Sequence, residues 1–337
     1  MATETLGVPR EIAFWGPSSS GKTWLMQSLA RSLHKINQDD PEFEYVLAQL
    51  DALAPANAIQ TPQNQATSDA YDKVWLFQRK VRPEYDTPAH RLSAHSHSIV
   101  VRDAPGELLL QGVNNTVMVP LRDAQCVIAV LDPSLIDAAT ATAPAAAGAA
   151  QPQPVAASQG LAALFSGSVA PAAAPASAPG FGGAFQYTQV QYTQMLTNLL
   201  QLLSGAPRPD RHVAVCVTKV DQLSVQGRDP WQVIEIYFGA DMHRLLKSYA
   251  GKIRIEAFCV SAAGYLDAYR QQPNYDPGTH SLLSPERWQP FAVETPFFWL
   301  FSHLERRRLA QGGGRIPRWY FKQERLQRYI DYPTRQY

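Results

Sequence analysis

Cysteine and charge are both scarce in this sequence of 337 residues. The three cysteines are widely separated and form no CxxC pair, which argues against a disulfide framework and against a zinc site. We expect Cys126, Cys216 and Cys259 to be buried reduced thiols, because each lies in an apolar, strand-like run. The formal net charge is +1, so the molecule as a whole has no strong attraction to nucleic acid or to an anionic membrane.

Long apolar runs are also missing. No stretch of about 18 uninterrupted apolar residues occurs, which predicts the absence of a transmembrane helix. Residues 1–10 are polar and do not have the form of a signal peptide, so we expect a cytoplasmic location. Hydrophobic residues nevertheless make up 45% of the chain, enough to bury a sizeable core at this length.

Apolar runs alternate with segments of helical periodicity. Residues 11–15, 74–81, 98–102, 124–131, 212–218 and 253–260 are the predicted strands, and residues 22–36, 187–203, 230–250 and 294–309 are the predicted helices. Residues 37–72 are polar and show no regular pattern. The alternation predicts an α/β fold of three layers, with helices on both faces of a mostly parallel sheet.

Two segments do not fit this pattern. Residues 138–184 are dominated by Ala, Pro, Gly and Ser without any charge, so we expect a disordered insertion within a domain that spans residues 1–310. Residues 311–337 begin with a glycine-rich hinge and combine basic with aromatic side chains, as a C-terminal extension. Such an extension can dock on the core or on a protein partner, stack on nucleic acid or lie at an anionic membrane. Docking is the favoured interpretation, and no DNA contact is predicted.

The segment GPSSSGKT at residues 16–23 fits the pattern GxxxxGK[ST] at every fixed position, between a predicted strand and a predicted helix. In such a loop, backbone amides surround a phosphate at the positive end of the helix dipole. Lys22 then reaches the β- and γ-phosphates, and the Thr23 hydroxyl can bind Mg²⁺. The predicted nucleotide-binding residues of this loop are Gly16, Ser18, Ser19, Ser20, Gly21, Lys22, Thr23 and Trp24.

The motif DAPG follows the predicted strand at residues 98–102. A carboxylate at the carboxyl end of a strand lies beside the phosphate loop in this kind of sheet, so Asp103 can hold Mg²⁺ through a water molecule. Gly106 would let a backbone amide approach a γ-phosphate.

The motifs TKVD and SAA follow the last two predicted strands. The Asp221 carboxylate can accept two hydrogen bonds from guanine, and adenine cannot donate that pair. The Lys219 stem can lie across the base, and a backbone amide of the segment Ser261-Ala262-Ala263 can bond guanine O6.

The ordered set GPSSSGKT, DAPG, TKVD and SAA resembles the motif series of the Ras-like and translation-factor-related GTPases, the TRAFAC class. The resemblance spans residues 11–264, and the predicted helix at residues 294–309 is similar to the closing helix of that fold. It implies a Ras-like P-loop NTPase fold and a GTPase that binds GTP, GDP and Mg²⁺. Within the class, the insertions and the TPFFWLF helix are similar to bacterial GTPases from multi-gene conflict systems.

The resemblance also implies a role for each matched residue. It assigns catalysis to Lys22, Thr67, Gly106 and Glu107, metal binding to Thr23, Asp103 and Thr67, and guanine recognition to Thr218, Lys219, Asp221, Ser261 and Ala262. Thr61 is the alternative to Thr67 as the switch I threonine.

Three positions depart from the family pattern. Thr218 stands where Asn is commoner, which we expect to remove a side-chain link to the phosphate loop. Glu107 stands where a water-orienting Gln is usual, and Ser18 where Gly is frequent. We therefore expect a molecular switch with slow hydrolysis that depends on a partner, and this partner reads the switch regions or the C-terminal extension. A GTP-binding structural subunit with negligible hydrolysis and a P-loop ATPase or kinase are the open alternatives.

Overall fold

The computed structural model describes residues 11–49, 71–87, 91, 94–103, 106–110, 112, 118–136, 186–205, 210–223, 228–267, 272–276, 279 and 281–311. In these ranges, seven strands form one sheet in the order β2-β3-β4-β1-β5-β6-β7. The strands are Ile12–Trp15 (β1), Phe43–Gln49 (β2), Tyr71–Val81 (β3), His95–Asp103 (β4), Cys126–Leu131 (β5), His212–Val217 (β6) and Arg254–Cys259 (β7). The neighbours β4, β1, β5, β6 and β7 run parallel to one another. Strand β3 pairs antiparallel with β4, and β2 pairs antiparallel with β3.

Helices cover both faces of this sheet. They are Lys22–Asp39 (α1), Gly106–Leu110 (α2), Val119–Asp123 (α3), Gln189–Gly205 (α4), Pro230–Phe238 (α5), Ala240–Tyr249 (α6) and Thr295–Gln311 (α7). Helices α1 and α7 pack on one face, and α2 to α6 pack on the other. The predicted three-layer α/β fold with a mostly parallel sheet is therefore confirmed.

The central strands are apolar along their whole length because helices bury both of their faces. Every residue of β5 and of β6 is buried. Alternate side chains of β5 point to opposite layers: Val127 and Ala129 pack with α4, and Ile128 and Val130 pack with α1 and α7. The continuous run that predicted β5 in the sequence is thus the signature of a strand between two helical layers.

Helix α7 closes the face that also carries α1. Phe301 stacks on Phe77 of β3 with ring centroids 4.1 Å apart, and Phe297 packs on Phe14 of β1 at 5.9 Å. These aromatic contacts attach the last described helix directly to the strand that precedes the phosphate loop.

The structure differs from the predicted elements at β2 and at the helix predicted over residues 230–250. The sequence pattern missed β2, in which Phe43, Tyr45 and Leu47 face the core while the residues between them are more exposed. The single helix predicted at residues 230–250 is two helices, because Gly239 between them adopts φ 89° and ψ 160°, which is not a helical conformation.

The cysteine prediction is confirmed, since Cys126, Cys216 and Cys259 are all buried and free. Burial raises the pKa of Cys259 to about 12, so this thiol is unreactive at neutral pH. No helix of the described ranges is both long and apolar enough to span a bilayer. The insertion predicted at residues 138–184 and the extension after Gln311 lie outside the described residues.

Two stacked histidines join β6 to α7. The rings of His212 and His303 have centroids 4.0 Å apart. Burial, with a contribution from the positive charge of Arg254, lowers the pKa of His212 to about 4 and that of His303 to about 3. Both imidazoles return to a pKa near 6.5 in the unfolded chain, which then binds protons that the folded protein does not. The stabilising contribution of the neutral pair is therefore complete above about pH 6.5 and is lost as the pH falls toward about 4.

The substitution His303→Gln should remove about half of this acid-induced loss of stability, because only one of the two imidazoles then titrates. The measurement is the unfolding temperature between about pH 7.5 and pH 4.5, in wild type and variant. His34→Gln, which changes an exposed histidine on α1, should follow the wild-type profile. Identical pH profiles for His303→Gln and wild type would contradict the assignment.

Candidate functional site

The phosphate-loop motif forms a tight turn between β1 and α1. An added Cβ on Gly16 would lie 2.9 Å from the Val130 carbonyl oxygen of β5, so only glycine allows the loop to approach the neighbouring strand this closely. Ser19 and Gly21 have φ values of 63° and 91°, in the left-handed region. Gly21 also occupies the N-cap position of α1, which places the loop at the positive end of the helix dipole.

Lys22 is folded back into this loop. Its Nζ donates to the carbonyl oxygens of Gly16, at 3.0 Å, and Pro17, at 2.8 Å, and the residue is 3% exposed. The ammonium group is therefore fixed near the centre of the loop, beside the amides at the start of α1. This arrangement concentrates positive charge where an anionic group would bind.

Thr218, directly after β6, links the base-recognition motif to the phosphate loop. Its hydroxyl lies 3.3 Å from the carbonyl oxygen of Ser20 and 3.3 Å from that of Leu131, and it can donate to either. The sequence prediction that threonine here removes the link to the loop is wrong, because the β-hydroxyl reaches the same backbone. Ser20 itself is fully buried, and its hydroxyl has no hydrogen-bond partner among the described residues.

Lys219 is held by two residues that follow β5. Its Nζ lies 2.7 Å from Asp132 Oδ2 and donates to Ser134 Oγ at 2.8 Å. Asp132 is fully buried, and its Oδ1 accepts from the backbone and the hydroxyl of Ser134 at 2.9 and 2.7 Å. The ion pair fixes the end of the lysine side chain and leaves its stem to line the site.

Asp221, on the turn after β6, is 6% exposed. Its Oδ1 accepts from the Ser261 hydroxyl at 2.5 Å, and this hydroxyl accepts from the Gly264 amide at 2.7 Å. The other oxygen, Oδ2, is buried without a hydrogen-bond partner in the described part of the chain. Burial raises the pKa of Asp221, and the Ser261 hydrogen bond opposes that shift. Ser261 therefore orients the carboxylate and leaves one acceptor for a ligand.

The segment after Ser261 is held by contacts with residues 288–291. Ser261 and Phe291 form an antiparallel bridge, and Gly264 bridges Gln289. The Trp288 indole donates to the Ala262 carbonyl oxygen at 2.7 Å. Ala262 is thus held at the rim of the site by its carbonyl group, which leaves its amide as the group that can meet a base.

Two of the predicted metal ligands, Thr23 and Asp103, belong to elements that end or begin at the same edge of the sheet as the phosphate loop. Thr23 is half-buried in the first turn of α1, and Asp103 is the last residue of β4, which pairs with β1. Gly106 and Glu107 begin α2, and Thr61 and Thr67 lie outside the described residues. A hydroxyl and a carboxylate at neighbouring element ends are oxygen donors that suit Mg²⁺. The described residues contain no group of three or more His, Cys, Asp or Glu side chains that could hold a metal ion.

Sequence analysis missed Asp132, Ser134 and Trp288. Asp132 carried the same signal as Asp103 and Asp221, since it directly follows a buried strand, but it belongs to no motif of the series. The contact of Trp288 with Ala262 joins residues 26 positions apart, and no local pattern predicts it.

Comparison with known proteins gives little beyond this geometry. No protein-family model matches the chain, and no curated protein matches it significantly. The signal recognition particle receptor SRb-GTP/SRX complex of Chaetomium thermophilum contains a chain that aligns at 13% identity, over 75% of this chain and 94% of its own, with a TM-score of 0.35. The S. cerevisiae Ski7 GTPase-like domain, bound to GTP, aligns at 12% identity over 85% of this chain and 50% of its own, with a TM-score of 0.32.

Gly264→Ala should destabilise the protein by at least about 2 kcal/mol. Gly264 has φ 74°, and an added Cβ would overlap the carbonyl oxygen of Gln289. Thermal unfolding measures the effect against Gly251→Ala, where an added Cβ meets nothing within 4 Å. Equal unfolding temperatures for the two variants would show that the bridge between Gly264 and Gln289 does not form.

Proposed function

We propose that this protein is a guanine-nucleotide-binding switch that binds GTP and GDP with Mg²⁺ and hydrolyses GTP slowly. The observation that carries the proposal is the buried Asp221 carboxylate, with one unpartnered oxygen, linked through Thr218 to a phosphate loop. In this proposal, the binding site for the base and the binding site for the phosphates are linked by the hydrogen bond of Thr218 to the loop.

Guanine is the base that suits Asp221. Its N1–H and N2–H groups donate side by side, whereas adenine offers an acceptor at N1 and cannot satisfy a carboxylate there. A buried acceptor without a partner is unfavourable by about 1–3 kcal/mol, and a guanine donor would relieve this penalty. The Lys219 stem, with its ammonium held by Asp132, would then lie along the base.

The phosphate chain would bind in the loop between β1 and α1. Lys22 and the amides of residues 18–24 supply donors and positive charge, which stabilise the charge that develops on a transferring phosphoryl group. Thr23 and Asp103 would hold Mg²⁺, with Thr67 as the further ligand. The metal would supply charge neutralisation between the β- and γ-phosphates when bound.

Slow hydrolysis follows from Glu107. A carboxylate next to the γ-phosphate would repel it and would orient the attacking water poorly. We therefore infer that a protein partner, which reads the segments near residues 60–72 and 103–115 or the C-terminal extension, completes the catalytic site. The structural subunit that binds GTP without hydrolysis is the second candidate, favoured by the same residue.

The cellular location and the narrower family resemblance are inferred from the sequence alone. A cytoplasmic location and the resemblance to conflict-system GTPases stay predictions. An ATPase or kinase is disfavoured because the pair of Asp221 and Ser261 has no function at an adenine.

Lys22→Ala should weaken binding of GTP and GDP by about ten- to a hundredfold, because it removes charge-assisted hydrogen bonds to phosphate. Titration of the nucleotide-free protein with fluorescent GTP, GDP and ATP analogues in Mg²⁺ measures this. Lys35→Ala changes an exposed lysine of the same helix and should bind like wild type.

Asp221→Asn should bind guanine nucleotides at least about tenfold more weakly and shift the preference toward xanthine nucleotides, because an amide replaces one acceptor with a donor. The same titration measures this. Equal affinity of the wild type for ATP and GTP would overturn the guanine assignment.

The purified protein should release phosphate from GTP more slowly than about one per second. Glu107→Gln should accelerate release several-fold, since it removes the negative charge and restores a water-orienting amide. Single-turnover phosphate release is the measurement, with Glu235→Gln on the exposed side of α5 as the control. A wild-type rate above this limit would contradict slow intrinsic hydrolysis, and no release from Glu107→Gln would favour the structural subunit.

A further inference from the structure

We propose that Trp24 and Tyr275 form an aromatic wall that contacts the nucleoside part of the bound nucleotide. The proposal rests on the function proposed above and adds a specificity element to it. One of its two residues, Tyr275, lies outside all four motifs.

The two rings lie beside both halves of the site. Trp24 directly follows Thr23 in the first turn of α1, and its ring meets that of Tyr275 edge to face, with centroids 6.1 Å apart. Both rings pack on a small apolar cluster of Ala263, Leu282 and Trp288. Because Ala263 belongs to the SAA motif, this cluster connects the phosphate-loop helix with the loop that faces the base.

Tyr275 lies within electrostatic range of Asp132 and Asp221. Burial raises the pKa of the Tyr275 phenol, and the negative charges of Asp132 and Asp221 raise it further. These are the carboxylate that holds Lys219 and the carboxylate that would bind guanine. The ring contact with Trp24 and the apolar cluster that includes Ala263 place Tyr275 beside the site, and the electrostatic effect of both carboxylates agrees with this position.

The segment that carries Tyr275 is held in place by buried polar contacts. Asn274 is fully buried, and its amide donates to the Gly264 carbonyl oxygen at 3.0 Å. Its side chain accepts from the Ser284 amide at 2.8 Å and donates to the Ser284 carbonyl oxygen at 3.1 Å. Arg31 of α1 donates to the Trp288 carbonyl oxygen at 3.3 Å. The wall is therefore formed before a ligand binds, which lowers the entropic penalty of binding.

Half-buried aromatic rings beside an unpartnered carboxylate suit a purine nucleoside. The rings offer the apolar surface and π-face that a base or ribose can cover, and Asp221 offers the polar contact that fixes orientation. Aromatic contacts of this kind strengthen base binding by roughly five- to a hundredfold per base.

The experiment compares two ligands in the full-length protein, GDP and inorganic tripolyphosphate, each competing with a fluorescent GDP analogue. Tyr275→Ala should weaken GDP about tenfold and leave tripolyphosphate unchanged, because the ring touches only the nucleoside. Trp24→Leu should show the same pattern. Tyr275→Leu keeps the apolar packing and serves in place of the alanine variant if that variant unfolds. Tyr85→Ala, on an exposed turn after β3, is the control and should bind both ligands like wild type.

Each outcome decides a different point. Selective loss of GDP affinity supports the wall. Unchanged GDP affinity in Tyr275→Ala and Tyr275→Leu, or equal weakening of GDP and tripolyphosphate, overturns it while leaving the proposed function intact. A wild-type protein that binds tripolyphosphate but not GDP overturns the guanine site and the wall together.

Discussion

Parallel pairing of the central strands is the constraint on which the rest of the site depends. Strand β1 pairs with β4 on one side and β5 on the other, and β6 continues in the same direction. The carboxyl ends of these strands consequently meet at one edge, which brings Gly16, Asp103, Asp132 and Thr218 together from distant parts of the sequence. The contacts of the candidate site are made by side chains and loops that lie at that edge of the sheet.

Buried charge at this edge is organised in advance of any ligand. The buried Lys22 ammonium donates to loop carbonyl groups, the partly exposed Lys219 pairs with Asp132, and the buried Asp221 carboxylate is only partly satisfied by Ser261. Desolvating such groups is unfavourable unless each finds a partner, so the incomplete satisfaction of Asp221 stands out against the two lysines. Under the proposed function, a guanine donor would satisfy the oxygen of Asp221 that the described residues leave without a hydrogen bond.

The sequence predicted the fold well where the pattern is local. Strand β5 was predicted because burial on both faces produces a continuous apolar run. The phosphate loop was predicted because its backbone passes so close to a neighbouring strand that only glycine fits, as the contact of Gly16 with Val130 shows. Strand β2 was missed since it lies at the sheet edge, where exposed residues interrupt the apolar pattern. Two hydrogen bonds, from Thr218 to Ser20 and from Trp288 to Ala262, join residues that meet only in the folded protein. No spacing along the sequence predicts them.

The packing of α7 on β1 has a consequence for how the protein is made. Ile12 and Phe14 are synthesised nearly three hundred residues before Phe297 and Leu300, which help to close their face of the sheet. Until then, the part of this apolar face that α1 does not cover stays open to solvent and to other nascent chains. Strand β1 therefore depends on contacts between residues far apart in the sequence, and the edge that carries the candidate site acquires its full support only when synthesis of α7 is complete.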